Sequence, residues 1–420
     1  MASPLISVIM TAYNSEKFIR ESINSVLNQT YTNLQFIIIN DGSTDSTAEI
    51  ISSFSDPRIE YYSLAENCHI AYATNLGFSK ARGQYIAIMD SDDVWLPQKL
   101  EKQLTFLQQH PEHEGCFSWV TLIDETGAVI NDQLPELLEQ FSAHTEDRKY
   151  WLRFFFFHGN RLNNPSSLIT YKSFQQTGYH SLFYIQATDF EWWVRFTKKH
   201  SFGIIEEPLI KYRRILNSEI NVSSISEIHN TRFATEYMYI RYHFFDDLDD
   251  ALFIETFQDC FRCHDSNTPD ELLCEKAFLL VSQISSALGL LKLEELLSSE
   301  KTARLLKERY HFSTIECGAY TGKNTSNHLH SEKELEKWLN MSQQHIRKLE
   351  STITELRSDI IQKEAKISQL DHQFNEIACQ NDSLKNDLIE LTHSTSWRIT
   401  APFRFLKDKI RQSKKNNSQL

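Results

Sequence analysis

The sequence predicts an α/β domain built on a parallel sheet, followed by a helical region and a long coiled coil. Short β-rich runs alternate with helical patterns before residue 215, Gly and Pro become scarce after residue 209, and a heptad repeat follows further on. We therefore expect an α/β domain over 1–215, a helical connector over 216–330, a coiled coil over 331–393 and a basic amphipathic tail over 394–420.

Three apolar runs in the first region are typical of buried strands. They are Leu5–Met10, Leu34–Asn40 and Tyr85–Met89, and Ser15–Gln29 between the first two has the apolar spacing of a helix. Strand, helix and strand with short connections indicate a parallel sheet covered by helices. In such sheets ligands bind at the carboxyl ends of the strands, so we expect the functional side chains there.

The clearest periodic pattern is a seven-residue repeat, in which 12 of 14 core positions are apolar over seven heptads. These positions are Ile346, Leu349, Ile353, Leu356, Ile360, Lys363, Ile367, Leu370, Phe374, Ile377, Asn381, Leu384, Leu388 and Leu391. Ile and Leu in alternation favour a parallel homodimer, and a trimer is a second possibility. A single amphipathic helix that packs on its own domain is the alternative. The connector before it offers no recognisable chemistry.

Charge is distributed unevenly along the chain. The whole sequence has 43 Lys plus Arg and 56 Asp plus Glu, for a net charge of -13, which argues against a nucleic-acid partner. Residues 396–420, however, contain seven Lys or Arg and one Asp, interleaved with Trp397 and Phe403. This composition predicts attachment to an anionic membrane surface. A solvated basic end or a protein-docking peptide is the alternative.

Seven scattered cysteines indicate a reducing, cytoplasmic environment, because no paired framework is present. The N-terminus lacks the basic region of a signal peptide, and no window approaches the ~20 apolar residues that span a bilayer. We therefore expect a cytoplasmic protein that meets a membrane only peripherally, on the cytoplasmic face of the inner membrane.

The strongest chemical pattern is Asp90-Ser91-Asp92-Asp93, directly after the third strand. Carboxylates at the end of a buried parallel strand repel one another, and a hard divalent cation that also holds a diphosphate relieves this repulsion. The alternative is that Asp92 or Asp93 caps the helix predicted over Leu96–Leu107. A second polar turn, Asn40–Ser46, follows the second strand.

These motifs, in their order and spacing, resemble the family 2 glycosyltransferases of the GT-A fold. The resemblance rests on SVIMTAYNSEKFIRESINSVLNQTY, IIINDGSTDST and ARGQYIAIMDSDDVWLPQKLEKQ, and it returns at PSSLITYKSFQQTGYH, ATDFEWWVRF and EEPLIKYRR. It extends over the first 215 residues, about half of the chain. The tail from Ser394 also resembles the SxSWRxTxPxR ending of bacterial polysaccharide-assembly glycosyltransferases.

The resemblance implies a role for each matching residue. Asp41 is implied to accept a hydrogen bond from the nucleotide base, and Asp90 is implied to lie near the ribose. Asp92 is implied to bind Mn2+ or Mg2+, with Asp90 as a second metal ligand. The loop implied to cradle the base comprises Thr11, Ala12 and Tyr13.

Asp189 in the segment TDFEWW matches the catalytic base of the family. Transfer with inversion needs such a base on the acceptor hydroxyl, opposite the departing diphosphate. The alternative is that Asp189 only caps a helix. Arg213, or its neighbour Arg214, is the weaker candidate for contact with the diphosphate.

The sequence departs from the family pattern at several positions. His69 stands where the family has Gly, Thr188 replaces the acid before the base, and Ile215 replaces a His. The function implied is transfer of a sugar from a nucleotide-sugar donor, favoured as a UDP-sugar, to a glycan or lipid-linked glycan acceptor in O-antigen or capsule synthesis. Because of the departures, a catalytically weak or inactive sugar-nucleotide-binding scaffold that assembles a glycan-synthesis complex through its coiled coil is the alternative.

Overall fold

A computed structural model describes residues 3–215, 227–284, 286–313, 315–318, 366, 385–387, 389 and 404–411. The predicted coiled coil over 331–393 lies almost entirely outside these residues, and so does most of the tail. The described residues of the chain belong to two compact units, Met1–Gly322 and Lys323–Leu420. In the second unit, residues 404–411 are helical.

The first unit contains one mixed eight-stranded sheet with the strand order β3-β2-β1-β4-β7-β6-β8-β5. The strands are β1 (Ile6–Ala12), β2 (Leu34–Asn40), β3 (Ile59–Ser63), β4 (Tyr85–Asp90), β5 (Val94–Trp95), β6 (Gly115–Ile123), β7 (Leu168–Thr170) and β8 (Phe202–Arg213). Strands β3, β2, β1 and β4 are parallel, as the sequence predicts. Strand β7 is antiparallel to β4 and β6, β6 is parallel to β8, and β5 is antiparallel to β8.

Helices cover the sheet and continue beyond its last strand. They are α1 (Ile19–Leu27), α2 (Thr47–Ser52), α3 (His69–Lys80), α4 (Lys99–Gln109), α5 (Pro135–Gln140), α6 (Arg148–His158), α7 (Tyr171–Thr177), α8 (Thr188–Lys199), α9 (Glu227–Tyr242), α10 (Asp250–Phe257), α11 (Pro269–Leu279), α12 (Ser286–Leu297) and α13 (Glu300–Glu308). None of the helices within the described ranges is both long and apolar enough to cross a membrane.

The central strands are apolar on both faces because both faces are covered. Alternate residues of β1 enter different clusters: Ile9 packs on one side of the sheet, and Val8 and Met10 pack on the other. Near-continuous apolar runs are typical of parallel strands buried in this way. The predicted α/β class is therefore confirmed, with an antiparallel portion that the sequence did not indicate.

The helical region packs directly on the sheet domain. The Phe156 ring on α6 lies 5.2 Å from Phe244, 4.8 Å from Phe245 and 5.6 Å from Phe257. These rings share one hydrophobic cluster with Ile9 of the sheet. The packing is thus continuous across the predicted boundary at residue 215, and α9 and α10 belong to the same compact unit as the sheet.

Candidate active site

The carboxyl ends of β1, β2 and β4 bring several predicted site residues to one edge of the sheet. Thr11 is in register with Asp90, and Ala12 is in register with Asn40. The N–H of Asp41 donates to the carbonyl oxygen of Ala12 at 2.8 Å, which places Asp41 directly beyond the paired strands. Parallel alignment therefore juxtaposes residues that are far apart in sequence.

Asp41 occupies a closed position, whereas the neighbouring Tyr13 is open to solvent. The Asp41 carboxylate is 4% exposed and accepts a hydrogen bond from the N–H of Cys68 at 2.7 Å. Burial raises the pKa of Asp41, while the hydrogen bond from Cys68 and the charge of His69 lower it. Tyr13 is 47% exposed. This edge of the sheet thus combines a buried acceptor with an accessible aromatic ring.

The acidic turn after β4 concentrates negative charge in a poorly solvated place. Burial and the charges of Asp92 and Asp189 raise the pKa of Asp90 to about 8. Burial raises the pKa of Asp92, against the opposing effect of Arg213 and Arg214. The turn is held by the Ser22 hydroxyl, which donates to the carbonyls of Ser91 and Asp93 at 2.9 and 2.7 Å.

Asp93 belongs to the same turn, and the sequence suggested only a capping role for it. It is fully buried, and burial together with the charges of Asp92 and Asp90 raises its pKa well above the usual range. Its Oδ1 accepts the N–H of Arg213 at 2.8 Å, and its Oδ2 has no hydrogen-bond partner among the described residues. Helix α4 begins at Lys99 with Gln98 as its N-cap, so neither acidic residue caps it.

The donor set of this turn fits a hard divalent cation. Asp90 and Asp92 offer carboxylate oxygens, both have raised pKa values, and the charge of Asp92 raises the pKa of Asp90. Within the described ranges, no group of three or more His, Cys, Asp or Glu side chains is arranged to hold a metal ion alone. A cation that takes one or two carboxylates and completes its shell with substrate phosphates matches such a site.

Arg213 lies next to the acidic turn, and its side chain is buried. Its side chain is 1% exposed, and its guanidinium pairs with Glu21 at 2.6 Å. It also donates to the carbonyl of Asp92 at 2.7 Å and to that of Asp124 at 2.8 Å. Because these donors hold the backbone of two loops, Arg213 fixes the acidic turn, and its contact with a diphosphate stays a prediction.

Asp189 lies in the first turn of α8, close to the acidic turn. Its Oδ1 accepts its neighbour Phe190's N–H at 2.7 Å, and its Oδ2 accepts the side-chain N–H of Asn160 at 3.1 Å. Burial raises the pKa of Asp189 to about 6, against these hydrogen bonds. The N-cap of α8 is Ala187, so Asp189 is not the capping residue. Its charge contributes to the raised pKa of Asp90, so the two carboxylates lie within electrostatic reach of each other.

Two residues that support Asp189 were not identified from the sequence. Asn160 follows α6 and reaches Asp189 across 29 residues of chain. Glu236 on α9 accepts the N–H of Ala187 at 2.7 Å, just before Asp189. Neither lies in a motif or a periodic pattern.

His69, which stands in place of a family Gly, has a φ of 68°, the left-handed conformation that glycine adopts most easily.

Comparison with known proteins identifies the family. The family described as Glycosyl transferase family 2 matches residues 7–174. An uncharacterized glycosyltransferase of Methanocaldococcus jannaschii is 36% identical over 218 residues, which is 51% of this chain and 72% of that protein. TuaG of Bacillus subtilis, named as a teichuronic acid biosynthesis glycosyltransferase, is 42% identical over 108 residues, 25% of this chain and 43% of that protein. The structure of S. aureus TarS 1–349 in complex with UDP-GlcNAc has a TM-score of 0.49 and 14% identity, with 71% of this chain and 83% of that chain covered. The chain belongs to glycosyltransferase family 2, and its α/β domain has the GT-A fold.

Proposed function

We propose that this protein is an inverting glycosyltransferase that moves a sugar from a nucleoside diphosphate to a glycan acceptor. The observation that carries the proposal is the placement of Asp189 within electrostatic reach of Asp90, because the charge of Asp189 contributes to the raised pKa of Asp90. A base and a donor-binding carboxylate must act on the same sugar, and a location of both carboxylates in one site suits these two roles.

We assign the donor to the edge formed by β1, β2 and β4. Thr11, Ala12 and Tyr13 line the place for the nucleotide base, and Asp41 offers its second carboxylate oxygen to an N–H of that base. Asp90 and Asp92 would hold Mn2+ or Mg2+ together with the diphosphate. When bound, such a cation would neutralise the negative charge that grows on the departing diphosphate.

Asp189 is proposed to accept the proton of the acceptor hydroxyl. With a pKa of about 6, most of this carboxylate is ionised at neutral pH, yet it remains basic enough to take a proton. The deprotonating hydroxyl oxygen attacks the anomeric carbon as the bond to the diphosphate oxygen breaks on the opposite face. The sugar then passes through an oxocarbenium-like state, as in other glycosyl chemistry. The hydrogen bond from Asn160 orients the accepting carboxylate.

The acceptor is proposed to be a glycan. The first acceptor to test is a lipid-linked oligosaccharide of the kind used in surface polysaccharide synthesis. Support comes from the sequence similarity to TuaG, which is named for teichuronic acid biosynthesis.

Assembly as a homodimer or trimer through residues 331–393 is part of the same proposal and rests on the heptad repeat. A monomeric mass for the full chain in solution would contradict it.

The tail is proposed to attach the protein peripherally to the cytoplasmic face of an anionic membrane. In the helical segment 404–411, Phe405 is 69% exposed, Leu406 62% and Ile410 53%, beside Lys407 and other basic residues. Exposed apolar side chains among cations suit a membrane interface. Deletion of 396–420 should abolish cosedimentation with phosphatidylglycerol vesicles, and neutral vesicles serve as the control. Unchanged cosedimentation of the deletion variant would refute the attachment.

The catalytic proposal is tested at Asp189. Asp189→Asn keeps the size of the side chain but cannot accept the proton, so transfer from a panel of nucleotide sugars with Mn2+ or Mg2+ should fall at least about 1000-fold. Cation-dependent binding of the donor should stay within about twofold, because the donor carboxylates are intact. Asp132→Asn, at an exposed position, is the matched control. If the wild type transfers no sugar from any donor of the panel, the protein is a sugar-nucleotide-binding scaffold instead.

A further inference from the structure

Glu236 on α9 is a buried acid whose carboxylate binds backbone amides of the active-site wall. It is 4% exposed, and its Oε1 accepts the N–H of Ile185 at 2.9 Å. Its Oε2 accepts the N–H of Gln186 at 2.9 Å and that of Ala187 at 2.7 Å. A buried carboxylate is tolerated only when its oxygens are satisfied, and three consecutive amides satisfy both.

These three amides immediately precede the helix that carries Asp189. The N-cap of α8, Ala187, has no side chain that could accept a hydrogen bond from the first turn. Glu236 therefore supplies from another helix the negative charge that a helix N-terminus favours. The bonds to three successive residues fix the backbone up to two residues before Asp189, and this backbone sets the position from which the Asp189 side chain extends.

The next residue of α9, Tyr237, is linked to the carboxylate of Asp189 indirectly, through Asn160. The hydroxyl of Tyr237 accepts the N–H of Asn160 at 3.2 Å, and the side chain of Asn160 donates to Asp189 at 3.1 Å. The Tyr237 ring also lies 4.7 Å from the ring of Phe190, which follows Asp189. Gly159 permits this approach, because a Cβ there would come within 2.5 Å of the Tyr237 ring.

We propose that α9 is a positioning element of the active site: Glu236 and Tyr237 hold Asp189 in the orientation that proton transfer requires. This inference rests on the proposed function, in which Asp189 is the base. It also gives the helical region after residue 215 a role in the reaction that its sequence did not indicate.

The kinetic test removes each contact separately. In Glu236→Ala the kcat for sugar transfer should fall about 10- to 100-fold, because a displacement of the base by about 1 Å has a cost of this order. The KM for the donor should change less than about twofold, since the carboxylates proposed to bind the donor, Asp90 and Asp92, lie at the end of β4 and in the acidic turn. Glu236→Gln retains one acceptor oxygen and should recover part of the lost kcat. Glu294→Gln, at an exposed position of α12, is the matched control.

Tyr237→Phe removes the acceptor of the Asn160 N–H but keeps the ring beside Phe190. We expect the same selective fall in kcat, smaller than that of Glu236→Ala, because only one indirect hydrogen bond is lost. Tyr239→Phe is the matched control, because this residue is 39% exposed on the same helix. Should either positioning variant fall in kcat no further than its control, its residue has no positioning role.

A structural readout separates this inference from the proposed function. Hydrogen–deuterium exchange at the amides of 185–187 should accelerate at least about tenfold in Glu236→Ala and Glu236→Gln, relative to the wild type and Glu294→Gln. If exchange and kcat both match the wild type in a folded variant, α9 is not a positioning element, even where Asp189→Asn is inactive. If the wild type transfers no sugar, the proposed function fails, and the exchange rates alone decide whether Glu236 fixes the backbone of residues 185–187. Should Glu236→Ala not fold, Glu236→Gln carries both measurements and Tyr237→Phe carries the kinetic one.

Discussion

The hydrogen bond between Asn160 and Asp189 allows a quantitative prediction about the pH dependence of transfer. Asn160→Ala removes the only side-chain donor recorded on the Oδ2 of Asp189 in the described part of the chain. That donor, together with two backbone donors that act more strongly, lowers the pKa of Asp189 against the effect of burial. Its loss destabilises the ionised carboxylate and leaves the protonated form unchanged, so the pKa of Asp189 should rise.

The magnitude follows from the strength of such a bond. A hydrogen bond to a charged group contributes roughly 1.5–3 kcal/mol, and we take a value just below this range, about 1.4 kcal/mol, because Asn160 has the smallest effect of the three donors. This corresponds to about one pKa unit, from about 6 to about 7. At pH 6 the ionised fraction should then fall about fivefold, from roughly one half to roughly one tenth, whereas at pH 8 it should change by only about 10%.

The assay is the initial rate of transfer at saturating donor, acceptor and cation between about pH 5 and 9. Saturating cation is necessary because the pKa of Asp90, about 8, would otherwise add a second titration to the profile. Asn24→Ala, at an exposed position on α1, is the matched control and should keep the wild-type profile. The reasoning is refuted if Asn160→Ala lowers the rate by the same factor at every pH, or leaves the acidic limb where it is.

Two further predictions concern stability, measured as the free energy of unfolding in urea. Lys99 is fully buried over the ring of Trp95, at 3.9 Å, and burial lowers its pKa from 10.5 to about 7. Because the unfolded chain retains the Lys99 proton between these values, the contribution of Lys99 to wild-type stability should rise from pH 7 to 10.5 and be lowest below pH 7. Lys99→Met should flatten this rise and increase the free energy of unfolding at pH 6 by about 1–3 kcal/mol. The gain is smaller than the roughly 5 kcal/mol that the pKa shift represents, because the hydrogen bonds of Lys99 to Gln103 and Ser167 are lost. An unchanged pH slope would contradict the prediction. His69→Gly should raise stability by about 0.5–1 kcal/mol, because His69 has a φ of 68° that glycine adopts without strain; a loss of stability would show that the side chain contributes more than the backbone conformation costs.

The local patterns of the sequence predicted three of the eight strands, β1, β2 and β4, and the acidic side of the site. The apolar runs at β1, β2 and β4 were correct because strands buried on both faces need apolar residues at every position. Since parallel strands align their carboxyl ends, Thr11 and Asp90 could be expected together before any coordinates were known. The family resemblance added Asp189, whose role remains a proposal.

Tertiary structure alone decided what surrounds these residues. Glu236 bonds to residues about 50 positions earlier in the chain, and no periodicity connects them. The guanidinium of Arg213 is buried and holds the acidic turn, a role that the sequence did not indicate.

The sequence by itself therefore determined the α/β class, the family and the acidic motif, because each depends on residues adjacent along the chain or aligned by strand register. Only the tertiary structure decided which helix supports Asp189 and which charged groups are buried. The physical reason is that hydrogen bonding and desolvation depend on neighbours in space. Long connections bring those neighbours together, and their spacing leaves no trace in the sequence.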